Sequence, residues 1–488
     1  MPTLVHGRAL LTGRLDVPSI PSGGAMVDGA TILAVGPADA LRASFRIERE
    51  IGGSNRIVMP GLVSAHQHGG GISSMLLGCG DATFERWLIE MYGIPAVDPY
   101  LDTLYHALRF IENGITTTVH SHYTRDPGRY NDEVTDVLRG YRDAGIRVTF
   151  APCFMDRGRF VCGNDDAFLD SLPESLAAPA RALGGAGVSL SDYLALVTTL
   201  RAQTDREWTR ITHGPVAPQW CSEAALLAIA EADAATIGVH MHLLESRQQR
   251  EYFDQSLGRS VVNWLNDLGL VSETSCFAHG VWLRESEIEL LAARGARLIC
   301  NPSCNLRLGN GQAPLGQLSR AGVNVALGTD DMTLDDDDDL FREMRLAGVL
   351  ARGNGDWLTA ATLLHAATAQ GAAVAGFHDL TGTLDAGKRA DLVLLDVAAL
   401  DGATESPAMD QCDLVVGRAT AAAVASVMIG GRIVLEDQRH VGIDMEGVVR
   451  ELRDAWRVQS QSGRAQRARS AATAIAEARD TYAAGRVV

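Results

Sequence analysis

Two histidines, His66 and His68, lie one residue apart at the end of an apolar run, Ile57–Ala65. The run is rich in aliphatic and β-branched residues, which favours a buried strand. Side chains alternate along a strand, so both imidazoles can point to the same side. Because neutral imidazole is a common ligand of zinc-like ions, this pair indicates a candidate metal site.

Other polar residues follow later apolar runs in the same way, namely His242, His279 and Asp330. If these runs are parallel strands of one barrel, their carboxyl ends meet at one face. His66, His68, His242 and Asp330 can then surround a single divalent cation. Three imidazoles and one carboxylate suit Zn²⁺ first, with Fe²⁺ or Mn²⁺ as alternatives. An open coordination position would remain for a water, whose pKa falls toward ~7 on such an ion.

The elements that would carry these residues are short apolar runs alternating with amphipathic segments, the βα pattern of a parallel sheet. This alternation predicts an α/β fold, a distorted TIM (β/α)8 barrel with insertions. The predicted strands are Ile57–His66, Ile115–His122, Ile146–Cys153, Thr209–His213, Ile237–Leu243, Ser275–His279, Ala296–Asn301 and Val323–Asp330.

Three regions are predicted along the chain. Residues 57–379 form the barrel. Residues 1–56 and 380–445, which both contain short strand-like pieces, build one small β-sandwich domain. Residues 446–488 form a helical extension that packs on the body or on a neighbouring subunit. Within the barrel, 154–190 lacks clear periodicity, so it is either an active-site lid or a plain surface insertion.

Charge and composition exclude several classes of protein. The net charge of −17 argues against nucleic acid or an anionic membrane surface as a partner. No apolar stretch reaches the roughly 18 residues of a membrane-spanning helix, and the first residues do not read as a signal peptide. We therefore expect a soluble cytoplasmic protein. The eight cysteines form no Cys-X-X-Cys pair, which favours buried free thiols.

The order and spacing of several motifs resemble the amidohydrolase superfamily, in particular its cytosine-deaminase-like and chlorohydrolase-like branch. The resemblance covers nearly the whole chain and rests on Pro60-Gly61-Leu62-Val63 before His66-X-His68, His242-X-X-Glu245, Ala278-His279, Asn301-Pro302 with Asn305, Gly328-Thr329-Asp330 and Gly387-Lys388-Arg389-Ala390-Asp391.

The resemblance implies metal ligation by His66, His68, His242 and Asp330. Glu245 would shuttle a proton, His279 would orient the hydroxide or polarise the substrate, and Asp330 would also deprotonate the water. Glu245, His279 and Asp330 thus form the implied catalytic set, which would act on a small-molecule substrate. Relatives are often homodimers or larger, so a homo-oligomer is expected.

The lysine content bears on the number of ions. Binuclear relatives bridge two ions with a carbamylated lysine on a central strand. The only lysine here is Lys388, which lies outside the predicted barrel, so one ion is expected. His240 alternates with His242 on the same strand and is the alternative ligand.

Six residues are candidates for substrate contacts: Gln67, His122, His213, Gln219, Trp220 and Asn305. Trp220 could stack on a planar ring. His122 and His213 could equally satisfy backbone carbonyls at the barrel rim. Val216 stands where adenosine-type deaminases carry a substrate-reading histidine, and the run 69–71 lacks the glutamine of guanine-type members. Both departures count against a simple assignment to adenosine or guanine.

The implied reaction is hydrolytic deamination of an amino-substituted N-heterocycle, such as a purine, pterin or triazine. A metal-activated hydroxide would attack the amidine-like carbon, and ammonia would leave. The alternative is hydrolysis of a urea, a thiocarbamate, or a ring C–Cl or C–N-alkyl bond of a xenobiotic; a more remote one is a non-catalytic scaffolding relative. The acidic run Asp335–Asp339 is either a solvated cluster at a helix N-terminus or an attractor for a basic substrate.

Overall fold

The computed structural model describes residues 1–124, 127–184, 187–232, 238–400, 406 and 408–485. Its strands, in chain order, are β1 Thr3–Leu11, β2 Ser19–Pro21, β3 Gly23–Asp28, β4 Thr31–Pro37, β5 Arg49–Pro60, β6 Leu62–Gln67, β7 Ile115–His122, β8 Arg147–Phe154, β9 Thr209–Ile211, β10 Gly214–Pro215, β11 Val239–Leu243, β12 Ser275–His279, β13 Arg297–Cys300, β14 Asn324–Leu327, β15 Leu392–Asp396, β16 Val424–Ile429, β17 Arg432–Glu436 and β18 Arg439–His440.

Both ends of the chain contribute to one nine-stranded sheet. Its order is β18-β17-β16-β15-β5-β1-β3-β4, with β2 paired to β1. Buried aliphatic side chains from both ends, such as Val5, Leu10, Val58 and Leu392, pack together on it. The two termini therefore meet in one sheet, and the predicted sandwich of two layers stays a prediction.

The predicted strand Ile57–His66 is two strands, which is a correction. Its first part ends at Pro60 and pairs antiparallel with β15 in the terminal sheet. Its second part, β6, pairs parallel with β7 in the barrel. Gly61 lies between them, where a Cβ would come within 2.0 Å of Thr116 Oγ1. Glycine therefore lets the chain pass from the sheet into the barrel at this close approach.

Strands β6 to β14 form a TIM-like barrel of parallel strands, in which β9 and β10 share the fourth position. The two sheets are joined where His240 N donates to His213 O at 2.8 Å. At the other edge Asp330 N donates to the carbonyl of His66 at 3.1 Å. These bonds bring the carboxyl ends of the first, fourth, fifth and eighth strand positions to one face. Position 237 of the predicted fifth strand lies outside the described residues.

The α-helices are Ala38–Ser44, Phe84–Tyr92, Pro99–Glu112, Tyr130–Ala144, Asp166–Ser171, Glu174–Gly184, Leu190–Gln203, Glu223–Glu231, Arg247–Ser256, Val261–Asp267, Glu285–Ala293, Pro302–Arg307, Leu315–Arg320, Leu340–Gly353, Ala360–His365, Gly371–Val374, Val397–Leu400, Gln411–Arg418, Met445–Ser460 and Gly463–Ala484. Several begin at a side-chain cap; Ser222, for example, accepts from Ala225 N. Among the described residues no helix is both long and apolar enough to cross a membrane.

The C-terminal extension consists of two helices, Met445–Ser460 and Gly463–Ala484. Ile475 of the second helix is buried with Ile89 and Phe168. Phe168 belongs to the segment 154–190, which contains two helices where the sequence lacked periodicity; its residues 185 and 186 lie outside the described part. The extension therefore packs on the body of the same chain.

Candidate active site

Four of the predicted residues meet at the carboxyl end of the barrel. Asp330 Oδ1 lies 3.2 Å from His66 Nε2 and 3.4 Å from His68 Nε2. His242 Nε2 lies 3.2 Å from His68 Nε2. Asp330 follows β14 with a positive φ of 54°, a backbone conformation unusual for a non-glycine residue. Such an outlier at a converging cluster is typical of functional sites.

The hydrogen bonds behind two imidazoles determine which nitrogen faces the cluster. His68 Nδ1 donates to the carbonyl of Ser121 and His242 Nδ1 to that of Val216, each at 2.8 Å. Because a carbonyl only accepts, each ring carries a proton on Nδ1, and in the neutral form of each ring a lone pair on Nε2 faces the cluster. Two such lone pairs 3.2 Å apart repel unless a cation, either a proton or a metal ion, lies between them. The donor set therefore fits a divalent metal ion.

The remaining atoms of the cluster agree with this fit. His66 Nε2 is buried and has no hydrogen-bond partner in the described structure. Geometrically, two groups could hold an ion, one formed by His66, His68 and Asp330 and the other by His66, His242 and His279. Burial disfavours the Asp330 carboxylate, yet the neighbouring imidazoles of His66 and His279 hold its pKa well below its usual value. A carboxylate that stays ionised is a suitable metal ligand.

Glu245 and His279 form a second wall of the site. Glu245 Oε2 and Asp330 Oδ2 each lie 3.7 Å from His279 Nε2. Burial, reinforced by the charge of Asp330, raises the pKa of Glu245 well above its usual value. Burial lowers the pKa of His279 to about 4. Burial therefore favours the protonated form of the Glu245 carboxyl group beside the neutral form of the His279 imidazole, a combination that suits proton transfer.

Amide side chains hold these two groups in place. Asn310 Nδ2 donates to Glu245 Oε1 at 2.9 Å, and Asn305 Oδ1 lies 3.0 Å from His279 Nδ1. Glu245 Oε2 and His279 Nε2 are buried without a hydrogen-bond partner among the described residues. Both unpaired atoms are thus left for a ligand.

Sequence reasoning gave no role to Asp331, which organises the loop after β6. Its Oδ2 accepts from His68 N at 3.0 Å and from Gly70 N at 2.8 Å. Its Oδ1 lies 3.5 Å from the buried His106 Nε2. The only signal in the sequence was an acid directly after Asp330, and that signal does not reveal the backbone contacts.

A cavity of about 1200 Å³ opens over the site and is lined by His68, His242, Glu245, His279 and Asp330. Its inner wall is mainly apolar and includes Phe84, Trp220, Cys304, Leu308 and Met332. Such a wall suits the faces of a planar heterocycle. The outer wall includes residues of both C-terminal helices.

The predicted substrate contacts fall into two groups. Trp220 and His122 line the cavity. Gln67 is fully buried behind β6, where it donates to Tyr141 Oη at 2.8 Å. The described residues that line the cavity do not include Gln67, His213, Gln219 or Asn305.

The acidic run Asp335–Asp339 is paired with arginines. Arg342 contacts Asp335 and Asp337, Arg307 contacts Asp336, and Arg109 lies 3.2 Å from Asp338. Asp339 Oδ1 accepts from Phe341 N at 2.9 Å at the start of the helix Leu340–Gly353. These contacts favour the structural interpretation, because the charges that would attract a cation are already paired.

Lys388 makes its hydrogen bonds outside the cluster of His66, His68, His242 and Asp330. Its ammonium group donates to Thr383 Oγ1 at 2.6 Å and to the carbonyl of Thr381 at 3.2 Å, in the return to the terminal sheet. Lys388 therefore stabilises a turn, and the single ion stays a prediction.

The chain is similar to several known proteins. The model of the amidohydrolase family matches residues 57–434. A 5-methylthioadenosine/S-adenosylhomocysteine deaminase of Symbiobacterium thermophilum is 30% identical over 91% of this chain and 95% of its own length. The deaminase of the same name from Desulforudis audaxviator is 29% identical over 88% of this chain and 93% of its own.

Solved structures show the same fold. An adenosine deaminase from Xanthomonas campestris with bound zinc has a TM-score of 0.77 at 26% identity and covers 93% of this chain and 98% of its own. The atrazine chlorohydrolase TrzN from Arthrobacter aurescens, complexed with zinc, has a TM-score of 0.77 at 23% identity and covers 93% of this chain and 100% of its own. Given the family match and these relatives, the chain belongs to the amidohydrolase family.

Proposed function

We propose that this protein is a zinc-dependent hydrolase that removes an amino group from an aromatic N-heterocycle and releases ammonia. The observation that supports this most is the pair of buried, unpartnered atoms Glu245 Oε2 and His279 Nε2 beside Asp330. A deaminase must deliver protons to a ring nitrogen and to a leaving amino group, and these groups are placed to do so.

The proposed ligands of one Zn²⁺ are His66, His68, His242 and Asp330, with Fe²⁺ or Mn²⁺ as alternative ions. The support is the convergence of their ligand atoms and the two Nε2 lone pairs of His68 and His242. When bound, the ion would supply Lewis acidity that makes a water nucleophilic near neutral pH. Metal analysis of the purified protein identifies the ion and its stoichiometry.

The residues of the chain would handle the protons. Asp330 Oδ2, whose pKa is held low, accepts a proton from the attacking water. Glu245, whose pKa burial raises, delivers one to the ring nitrogen at the carbon under attack. His279 Nε2 lies between these two carboxyl groups and orients the nucleophile. The proton taken up by Asp330 then passes to the amino group, which leaves as ammonia. The hydroxyl proton of the adduct returns to Glu245 as the carbonyl of the product forms.

The substrates to test first are 5'-substituted adenosines, because two relatives at 29% and 30% identity are named for 5-methylthioadenosine and S-adenosylhomocysteine. The side chain of Val216 is apolar and buried, so a ring nitrogen cannot be read there by an imidazole. Pterins and aminotriazines therefore belong in the same panel.

The test measures ammonia release across this panel, together with chloride and alkylamine release from chlorotriazines and aniline release from phenylureas. We expect ammonia from at least one aminated heterocycle. Release of chloride or amine without ammonia would favour the xenobiotic alternative. A zinc-loaded protein with no turnover on any member would favour the non-catalytic alternative.

A single substitution tests the proton-transfer role. We expect Glu245→Gln to lower kcat by about 10²–10⁴, the usual contribution of general acid–base catalysis. Zinc content should be unchanged, since Glu245 is not a proposed ligand. Glu251→Gln, at an exposed position of the following helix, is the matched control. Equal kcat values for Glu245→Gln and wild type would contradict the role.

Three other expectations stay proposals: the cytoplasmic location, the homo-oligomer, and the domain boundaries 1–56 with 380–445, 57–379 and 446–488. Light scattering after size-exclusion chromatography measures the second of these.

A further inference from the structure

The imidazoles of His66, His68 and His242 differ in the group that lies next to each Nδ1 atom. His68 and His242 donate to backbone carbonyls, which cannot change their hydrogen-bonding character. His66 Nδ1 instead lies 2.7 Å from the Nε2 atom of a fourth histidine, His240. The ring centroids of His66 and His240 are 5.0 Å apart with an interplanar angle of 23°.

The protonation of this pair follows from its surroundings. If the Nε2 lone pair of His66 faces a cation, Nδ1 carries the proton and donates it to His240 Nε2. His240 must then be neutral, with its own proton on Nδ1. It is only 2% exposed, and such a position disfavours a charged ring.

The same geometry argues against His240 as an alternative metal ligand. Its Nε2 lone pair points to His66 Nδ1 and is used there. His240 and His242 lie two residues apart on β11, so both side chains are on the interior side of the barrel. One histidine of this strand thus joins the cluster, and the other supports a member of the cluster on β6.

We infer that His240 is a positioning residue that fixes the tautomer and orientation of His66 and thereby sets the affinity of the site for its metal ion. The inference rests on the proposed function, because it presupposes that the cluster holds a cation. A partner behind a metal-bound histidine fixes its ring and raises its basicity, and losing such a partner commonly weakens metal binding about 10–100-fold.

Two polar variants distinguish the effect of a hydrogen-bond acceptor at the position of His240 Nε2 from the effect of side-chain volume alone. The side-chain amide of Gln reaches about as far as Nε2 of histidine, whereas that of Asn stops near the position of Nδ1. His240→Gln can therefore still accept from His66 Nδ1, and His240→Asn cannot. His365 offers a matched control, because its Nδ1 donates to the carbonyl of Gly13, also at 2.7 Å, but in contact with the terminal part of the chain.

The experiment measures the zinc dissociation constant by competition with a chromophoric chelator, using metal-free full-length protein whose folding is checked by circular dichroism. We expect a rise of about 10–100-fold for His240→Asn. We expect values close to wild type for His240→Gln and for His365→Asn. Activity is not needed for this readout.

Two results would overturn the inference: His240→Asn binding zinc as tightly as wild type, or His240→Asn and His240→Gln losing affinity equally. If His240→Asn fails to fold, His240→Gln decides the matter. A folded His240→Gln protein that binds zinc more weakly than wild type would also overturn the inference. A folded His240→Gln protein that binds zinc as tightly as wild type supports it. Failure of the proposed function looks different, because the wild type would then bind zinc but release no ammonia from any heterocycle.

Discussion

Single hydrogen bonds determine how each histidine of the site behaves. Asn305 accepts from His279 Nδ1, and burial lowers the pKa of His279 to about 4. Asn305→Asp keeps an acceptor there and adds a negative charge, which raises the pKa of His279. Because the proposed reaction uses neutral His279, we expect the acidic limb of the kcat/KM profile to move to higher pH. The measurement is the pH–rate profile of both proteins.

The companion variant Asn305→Leu removes the acceptor altogether. Leaving a buried donor unpaired costs about 1–3 kcal/mol, so kcat should fall about 10–100-fold without a new pKa in the profile. Superimposable profiles for wild type and Asn305→Asp would show that Asn305 acts on the substrate or not at all. Either result bears on the sequence-based prediction that Asn305 contacts substrate.

The sequence was sufficient to predict that His66, His68, His242 and Asp330 converge, because the ends of parallel barrel strands meet wherever the loops run. It could not predict the partners behind them. Whether His240 supports His66 or binds an ion depends on the angle between β6 and β11, and no local pattern encodes that angle. The same holds for Gln67, which lies between His66 and His68 in the sequence yet is hydrogen-bonded to Tyr141.

Among the elements, the short helix Pro302–Arg307 carries Asn305 and is anchored by Glu343 of the helix Leu340–Gly353. Glu343 accepts from Ser303 N at 3.0 Å and from Ser303 Oγ. Burial raises the pKa of Glu343 from its usual 4.5 to about 8. The unfolded chain loses this proton above about pH 4.5 and the folded protein only near pH 8, so ionisation increasingly favours unfolding across this window.

We therefore expect Glu343→Gln, which cannot ionise, to gain stability relative to wild type as the pH rises. The difference in Tm between variant and wild type should be more positive near pH 8 than near pH 5, as measured by thermal unfolding. Glu289→Gln, at an exposed position, is the control. A Tm difference that stays constant or falls with pH would contradict the raised pKa.

Most strands matched their sequence-based prediction closely, Ile115–His122 and Ser275–His279 without any shift. The helices within 154–190 gave no such signal, because they are stabilised by packing against the distant helix Gly463–Ala484. The break at Gly61 was missed for a related reason. Residues 57–60 read as a strand in either location, and only their pairing with Leu392–Asp396 places them in the terminal sheet.

Across the whole molecule, the C-terminal extension links the loops that surround the cavity. Arg469 Nη2 donates to the carbonyl of Leu77 at 3.0 Å, and Arg479 Nε to that of Phe160 at 3.3 Å. Both loops belong to the walls of the site, and residues of the extension itself, such as Gln459, line the cavity. The extension should therefore affect substrate binding more than the chemical step.

Arg469→Met tests this, since it keeps an apolar stem but removes the hydrogen bond to Leu77. We expect KM to rise with little change in kcat, because the loop that lines the cavity loses an anchor while Glu245 and Asp330 keep their partners. Steady-state kinetics on the best substrate of the panel measures both constants. Arg450→Met is the control, because its partners Asp444 and Glu446 lie at the start of the helix Met445–Ser460 and are exposed. An equal effect of both variants on KM, or a loss confined to kcat, would show that the extension does not shape the cavity through this contact.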